Sequence, residues 1–124
     1  MAFVYYNANP KGVRTGDCVI RGISYFLGIT WSGALHSLID WGEERGLVLF
    51  HYRGFYNKFL ADRGFQKKKT PNKEWTVNDF CEQYAQEGKC YLIQCPRHIT
   101  VVHGKDIIDS WDCGHLKVEG FWER

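Results

Sequence analysis

One cysteine, Cys18, stands where a thiol can act as a nucleophile. It follows Thr15-Gly16-Asp17 and opens a segment with an apolar stripe, which predicts the first turn of a helix. The positive end of a helix dipole lowers a thiol pKa and populates the thiolate, and the free amides of the first turn can receive an oxyanion. The alternative interpretation is a small buried hydrophobe, since free cysteine is among the most buried residue types.

A histidine and an aspartate later in the chain are the partners that such a thiol needs. His98 begins an alternating segment, and a turn at Gly104-Lys105 returns the chain through Asp109. If that turn is a two-residue hairpin loop, His98 and Asp109 share one face of the hairpin, one diagonal step apart. The carboxylate would then fix the imidazole tautomer and stabilise the imidazolium that forms when a thiol proton is taken. The alternative is an ordinary polar residue at a strand start and a charge at a strand end.

A cluster of thiols and imidazoles near the end of the chain raises a second kind of site, a metal centre. Its members are Cys90, Cys95, His98, Cys113 and His115. Structural zinc sites usually take each ligand pair from a turn with about two to four residues between the ligands. Only one residue separates Cys113 from His115, and a proline follows Cys95. A chain this aromatic also needs no metal to fold, so we expect no metal and no other cofactor.

The elements that must position these residues follow from apolar periodicity and from turn signals. Helices are predicted from about Gly16 to Gly28, Thr30 to Gly46, Tyr52 to Gly64 and Thr76 to Gly88. Strands are predicted at Phe3 to Asn7, Phe65 to Thr70, Cys90 to Gln94, His98 to Val102, Asp106 to Trp111 and Leu116 to Phe121. Helices first and an antiparallel meander afterwards predict an α+β domain.

Composition and charge narrow the classes of protein to consider. The chain has 124 residues, is 16% aromatic, and carries 16 Lys and Arg against 14 Asp and Glu. This length and aromatic content predict one folded domain over residues 1–124 and exclude a disordered chain. The near-neutral charge argues against a nucleic-acid partner, and no apolar run approaches the ~20 residues of a membrane span. A polar start and an odd number of cysteines, five, predict reduced thiols in the cytoplasm.

The order of these residues resembles the papain-like cysteine peptidase superfamily. In that superfamily a cysteine opens an early helix, a late strand carries a histidine, and the returning strand carries an acidic or amide residue. Asp109-Ser110-Trp111 resembles the Asn-Ser-Trp of papain, with the acidic variant found in transglutaminase-like and bacteriocin-leader-processing branches. Most of the chain also resembles small proteins of bacteriophages and Gram-positive bacteria that have an early Gly-Asp-Cys-Val-Ile-Arg and a late Asp-x-Trp-Asp.

The resemblance implies a fold and a set of roles. The fold would be a single papain-like α+β domain, with N-terminal helices packed on a C-terminal antiparallel sheet. Cys18 would be the nucleophile, His98 the general base and Asp109 the orienting residue, while Trp111 would shield the His98–Asp109 contact from water. Papain-type enzymes complete the oxyanion hole with a glutamine before the cysteine, which residues 12–15 lack. Asn9, or else Asn7, would take that place only if the loop folds back.

The implied reaction is thiol-dependent acyl transfer on a peptide or protein substrate, in a phage-encoded protein acting on a host target. Hydrolysis of a peptide, isopeptide or amide bond, deamidation and transamidation all use the same triad, and the sequence does not choose among them. The alternative is a catalytically inactive binding module on the same fold that sequesters a host protein or a small ligand. The sequence also leaves the oligomeric state open.

Overall fold

The computed structural model of the chain describes residues 1–48 and 50–124. Its elements, in chain order, are β1 (Phe3–Tyr5), α1 (Cys18–Leu27), α2 (Trp31–Arg45), α3 (Arg53–Asp62), α4 (Val77–Gln83), β2 (Cys90–Cys95), β3 (His98–His103), β4 (Asp106–Asp109) and β5 (Gly120–Glu123). In these two ranges, four helices precede four of the five strands of one mixed sheet. The predicted α+β class is therefore confirmed.

Local signals set the ends of the helices much as the sequence predicts. Thr30 caps α2 by accepting a hydrogen bond from the Gly33 N–H, and Thr76 and Asp79 form a reciprocal capping box on α4. Gly28 ends α1 with a φ of 68°, a left-handed conformation that favours glycine. Among the described residues no single helix is long and apolar enough to cross a membrane. One pair of described helices, α1 and α2, has the necessary length and composition when taken together, but the two are bent by 106° relative to each other.

The sheet has the strand order β1-β4-β3-β2-β5. Its centre, β2-β3-β4, is the antiparallel meander that the sequence predicts, and the β3–β4 register pairs His103 with Asp106 and Val101 with Ile108. β1 runs parallel to β4, and β5 pairs with β2 rather than with β4. The C-terminal strands are thus antiparallel, as predicted, but the last of them does not continue the meander, and the parallel β1 at the β4 edge makes the sheet mixed.

Several predicted elements differ in extent from those of the structure; β1 and β4, for example, end at Tyr5 and Asp109, two residues earlier than predicted. The last strand is Gly120–Glu123 instead of Leu116 to Phe121, because residues 116–118 pair with the chain around the start of α4. The segment Phe65 to Thr70 forms a single bridge, Lys68 to Phe121, and no strand. α4 ends at Gln83, short of Gly88, because the backbone at Tyr84 leaves the helical conformation, with φ −124°.

Two apolar layers cover the sheet. On one face α1, α2 and α3 bury Ile23, Leu38 and Phe59 against a set that includes Leu92 and Trp122. On the other face α4 packs with the second side of β2 and β3, and that cluster contains Phe80, Tyr91, Ile93, Val102 and Phe121. β2 is buried along its whole length because it is covered on both faces. The rigid centre of the sheet thus supports the start of β3, where His98 lies.

The tightest contact between α1 and the sheet is at Gly22. A Cβ there would lie 2.5 Å from Ile99 Cγ2 and 2.9 Å from Leu92 Cδ1. We expect Gly22→Ala to lower the free energy of unfolding by about 1–3 kcal/mol, even though alanine favours a helix by ~1 kcal/mol. Urea denaturation measures the change. Gly54→Ala in α3 is the matched control, because a Cβ there meets no atom within 4 Å, and it should stabilise by about 0.5–1 kcal/mol. Equal stabilisation by both substitutions would contradict this packing.

Candidate active site

Three elements bring Cys18, His98 and Asp109 together. Cys18 is the first residue of α1, His98 the first of β3 and Asp109 the last of β4. The close approach at Gly22 lays the start of α1 against the start of β3. His98 Nε2 lies 2.8 Å from Asp109 Oδ2, and their side chains are 8% and 4% exposed. This is the diagonal contact that the predicted hairpin register requires.

The Cys18 thiol is half-buried and lines the same cleft as the His98 imidazole. Burial works to raise the pKa of Cys18. The hydrogen bonds from His98 and from the Ile99 backbone N–H, with the positive charges of His98 and Arg21, outweigh burial and lower the pKa of Cys18 below its usual 9.0. The helix start therefore holds a thiol whose anion is stabilised by several donors.

His98 has the opposite shift. Burial lowers the pKa of His98, but the hydrogen bonds of Asp109, Cys113 and Cys18 outweigh it and raise that pKa to about 11. Burial also works to raise the pKa of Asp109, and the hydrogen bond and charge of His98 lower it overall. The lowered pKa of the thiol and the raised pKa of the imidazole act in the same direction, since both favour a thiolate beside an imidazolium.

Three other thiols have a different character, as the sequence predicts for packing residues. Burial raises the pKa of Cys81 to about 12 and also raises the pKa values of Cys90 and Cys95. These side chains are at most 3% exposed. A buried thiol with a raised pKa is a poor nucleophile, because the thiolate is the reactive species. Cys18 therefore differs from all three in the direction of its pKa shift and in its exposure.

A buried ion network ties the start of α1 to the end of β4. Arg21 Nε lies 3.0 Å from Asp17 Oδ1, and Arg21 Nη1 donates a hydrogen bond of 2.7 Å to Ser110 Oγ and lies 3.6 Å from Asp109 Oδ1. Asp17 directly precedes Cys18, so one guanidinium lies between the carboxylate beside the thiol and the carboxylate that binds His98. Arg21 is not among the site residues predicted from the sequence, although its spacing of four from Asp17 on a predicted helix was a usable signal.

Asn9 lies close to this network, but its amide points to a carboxylate. Asn9 Nδ2 donates to Asp17 Oδ2 at 3.3 Å, and Asn9 Oδ1 accepts from the Lys11 N–H at 2.9 Å. Trp31 Nε1 donates to the same Asp17 oxygen at 2.9 Å. The loop does fold back, as the resemblance required, yet it uses Asn9 to anchor Asp17. In the described ranges the backbone N–H groups of Cys18 and Val19 have no acceptor, which leaves them for an oxyanion.

Trp111 covers the imidazole. Its ring centroid lies 4.9 Å from that of His98 and 6.1 Å from that of His115, and the side chain is 37% exposed. One face of the indole thus contacts the histidine while another part faces solvent. This is the position that the sequence analysis assigned to a shield over the His98–Asp109 contact.

Cys113 is a second thiol at the site, and the sequence analysis placed it only in a turn. It is fully buried, and its Sγ lies 3.5 Å from Asp109 Oδ2. Ligand atoms of His98, Asp109 and Cys113 all lie within 4.8 Å of one another, and a thiolate, an imidazole and a carboxylate are donors that zinc accepts. In this arrangement, however, the imidazole and the carboxylate are already hydrogen-bonded to each other. Two of the three ligand atoms that a metal would need are thus already engaged in the hydrogen bond between His98 and Asp109.

An open cleft of about 560 Å³ gives access to Cys18 and His98. Its walls come from the start of α1, the start of α3 and the β2–β3 turn, and its lining includes Tyr52, Arg53, Tyr56, Pro96, Arg97 and Glu119. The cleft is large enough to hold a few residues of an extended peptide. Its position places any such segment against the thiol and not against the buried Asp109.

Comparisons of the chain with protein-family models, curated proteins and solved structures found no match. The site itself joins an accessible thiol with a lowered pKa, an imidazole with a raised pKa, and a buried carboxylate that holds the imidazole. Such an arrangement can attack an acyl carbon and then protonate the leaving group.

Proposed function

We propose that the chain is a papain-like thiol-dependent acyl transferase or hydrolase, with Cys18 as nucleophile, His98 as general base and acid, and Asp109 as orienting residue. One observation carries this proposal. His98 Nε2 is engaged by Asp109 at 2.8 Å, which leaves Nδ1 of the same ring for the Cys18 thiol. A thiol beside an imidazole that a carboxylate holds in place is the set of groups that nucleophilic acyl transfer needs.

The proposed reaction has two steps. The Cys18 thiolate attacks the carbonyl carbon, a C–S bond forms, and the negative charge on oxygen is received by the backbone N–H groups at the start of α1. The tetrahedral intermediate collapses, the bond to the leaving amine or alkoxide breaks, and His98 donates its proton to that group. In the second step water or an amine attacks the thioester, His98 accepts the proton of the attacking group, and the thiolate leaves.

The fold is consistent with this proposal, because the helix that bears the thiol packs on the sheet that bears the imidazole and the carboxylate. The glutamine of papain is replaced here by backbone amides, with Asn9 assigned to the loop and not to the oxyanion. A peptide or protein is the substrate class that the open cleft favours. A cytoplasmic host protein as target, for a phage-encoded chain, follows from the resemblance alone and belongs to the same proposal.

Acylation by p-nitrophenyl acetate tests the proposal without knowledge of the natural substrate. The thiolate should displace p-nitrophenolate, so that a C–S bond forms as the ester C–O bond breaks. We expect a burst of about one equivalent of p-nitrophenolate followed by slower turnover, as acyl-enzyme kinetics require. Intact mass spectrometry and peptide mapping should then place one acetyl group on Cys18.

Matched variants make the outcome specific. Cys18→Ala should abolish the burst, whereas Cys90→Ala removes a buried thiol and should retain it. A burst that survives in Cys18→Ala, or an acetyl group found mainly on another thiol, would overturn the proposal. Absence of any burst in a folded wild-type protein would also overturn it, and would favour the binding-module alternative.

A further inference from the structure

The cleft beside Cys18 carries two arginines on its walls, and they differ in their partners. Arg53, at the start of α3, forms an ion pair with Glu119 and donates a hydrogen bond of 3.0 Å to the Cys95 carbonyl. Arg97, in the turn between β2 and β3, is exposed, and its guanidinium has no ion pair or hydrogen bond to any residue in the described ranges. Among the described residues that line the cleft, Glu119 is the one carboxylate, and it is already paired with Arg53.

The cleft therefore has an excess of positive charge. Its other titratable groups are Cys18, His51, Tyr52, Tyr56, Cys95 and His98. Cys18 and His98 have no net charge as a pair, whether the shared proton is on sulfur or on nitrogen, and Arg53 and Glu119 compensate each other. One guanidinium, that of Arg97, remains to act on whatever enters. A guanidinium is suited to a carboxylate because its planar donors match the two oxygens.

The backbone at Arg97 is a second, independent observation. Arg97 has a φ of 53°, and every other described residue with a positive φ is a glycine. It is the second residue of a two-residue turn between Cys95 and His98, which pair with each other across the hairpin. Such a position favours glycine or asparagine, because a side chain there strains the backbone. The strained backbone at Arg97 lies directly before His98, and strained positions of this kind cluster at functional sites.

On the premise of the proposed function, we propose that the cleft selects acyl substrates with a carboxylate near the scissile bond, and that Arg97 binds this carboxylate. The substrate class is thus a peptide or protein segment with an acidic side chain beside the carbonyl that Cys18 attacks. The aromatic rings of Tyr52 and Tyr56 line the same cleft and supply apolar contact for the rest of the segment.

Three peptidyl chloromethyl ketones that differ only in one residue test this specificity. The residue next to the reactive glycine ketone is Glu, Gln or Lys, and the thiolate displaces chloride as the C–S bond forms. Labelling of Cys18 should be fastest with Glu and slowest with Lys, and the Glu-to-Gln rate ratio should be about threefold to tenfold at low ionic strength. The ratio should fall when salt is added, because the charge is exposed to solvent.

Variants separate the role of the side chain from that of the fold. Arg97→Gly should bring the Glu-to-Gln ratio to about one while thermal stability is kept or raised, because glycine relieves the positive φ. Arg97→Glu should invert the order of the three probes. Arg63→Gln removes the same charge outside the cleft and should leave the ratio unchanged.

The outcomes distinguish this inference from the proposed function. Equal rates for the Glu and Gln probes, or a preference that survives in Arg97→Gly, would overturn the acidic specificity and leave the nucleophilic role of Cys18 intact. Failure of all three probes to label Cys18 ahead of the other thiols would overturn both. Loss of the preference in Arg63→Gln as well would assign it to net charge and overturn the role of Arg97.

Discussion

Replacing His98 with alanine is expected to remove the selective reaction of Cys18 with iodoacetamide at pH 6. In the wild type, His98 is the main contributor, with the Ile99 backbone N–H and Arg21, to the interactions that outweigh burial and lower the pKa of Cys18. Without His98 burial dominates, and the pKa should rise above that of an ordinary thiol. Each unit of rise reduces the thiolate fraction about tenfold, so we expect the labelling rate at pH 6 to fall by about 100-fold or more.

Peptide mapping of partly labelled protein gives the measurement. The wild type should carry label on Cys18 before the other four cysteines, and the midpoint of its pH–rate profile should move to higher pH in His98→Ala. His36→Ala is the matched control, since His36 is exposed on α2 and lies outside the site. Equal labelling of all thiols in the wild type, or an unchanged profile in His98→Ala, would show that the imidazole does not activate the thiol.

Asp109→Asn tests the contact on the other side of the imidazole, between His98 and its carboxylate partner. Asp109 is the first of the hydrogen-bonding partners that raise the pKa of His98 to about 11. An amide removes the negative charge, so the imidazolium should lose its proton at lower pH. A titration of the His98 ring by NMR should show this downward shift, and the iodoacetamide rate at pH 6 should fall with it. A His98 pKa that does not move would exclude Asp109 as its positioning partner.

The parts of the site that the sequence predicts are those set by short-range rules. The turn at Gly104-Lys105 fixes the β3–β4 register, and the register in turn places His98 one diagonal from Asp109. The start of α1 at Cys18 likewise follows from local residues. These features depend on a few neighbouring positions, so periodicity and turn chemistry are enough to find them.

The parts that the sequence misses depend on contacts between distant segments. β1 adds parallel to β4 across most of the chain, and the Arg21–Ser110 hydrogen bond spans 89 positions. Cys113 meets Asp109 only because the chain after β4 turns back over the hairpin. Turn and periodicity rules carry no information on such pairings, since sheet order and buried charge partners are decided by packing.

Removal of the Arg21 guanidinium is expected to have the largest effect on stability. The Arg21 and Asp17 side chains are 12% and 5% exposed, so Arg21→Met would leave the buried Asp17 carboxylate without its ion-pair partner, while Asp109 would keep His98. Breaking a buried pair in this way costs about 3–5 kcal/mol. Urea denaturation should show this loss. By contrast Arg45→Met breaks the exposed pair with Asp62, which should cost about 0–1 kcal/mol.

The double variant Asp17→Asn with Arg21→Met decides how the loss arises. If the penalty comes from an uncompensated carboxylate, neutralising Asp17 should recover part of the stability that Arg21→Met loses.

Cys18 labelling gives an independent readout, because Arg21 also helps to lower the pKa of Cys18. The labelling rate should stay low in the double variant even where stability returns. A loss below about 1 kcal/mol in Arg21→Met would mean that the network contributes no more than a surface ion pair. If the double variant recovered both the stability and the Cys18 labelling rate of the wild type, the role of Arg21 would be limited to compensating the charge of Asp17.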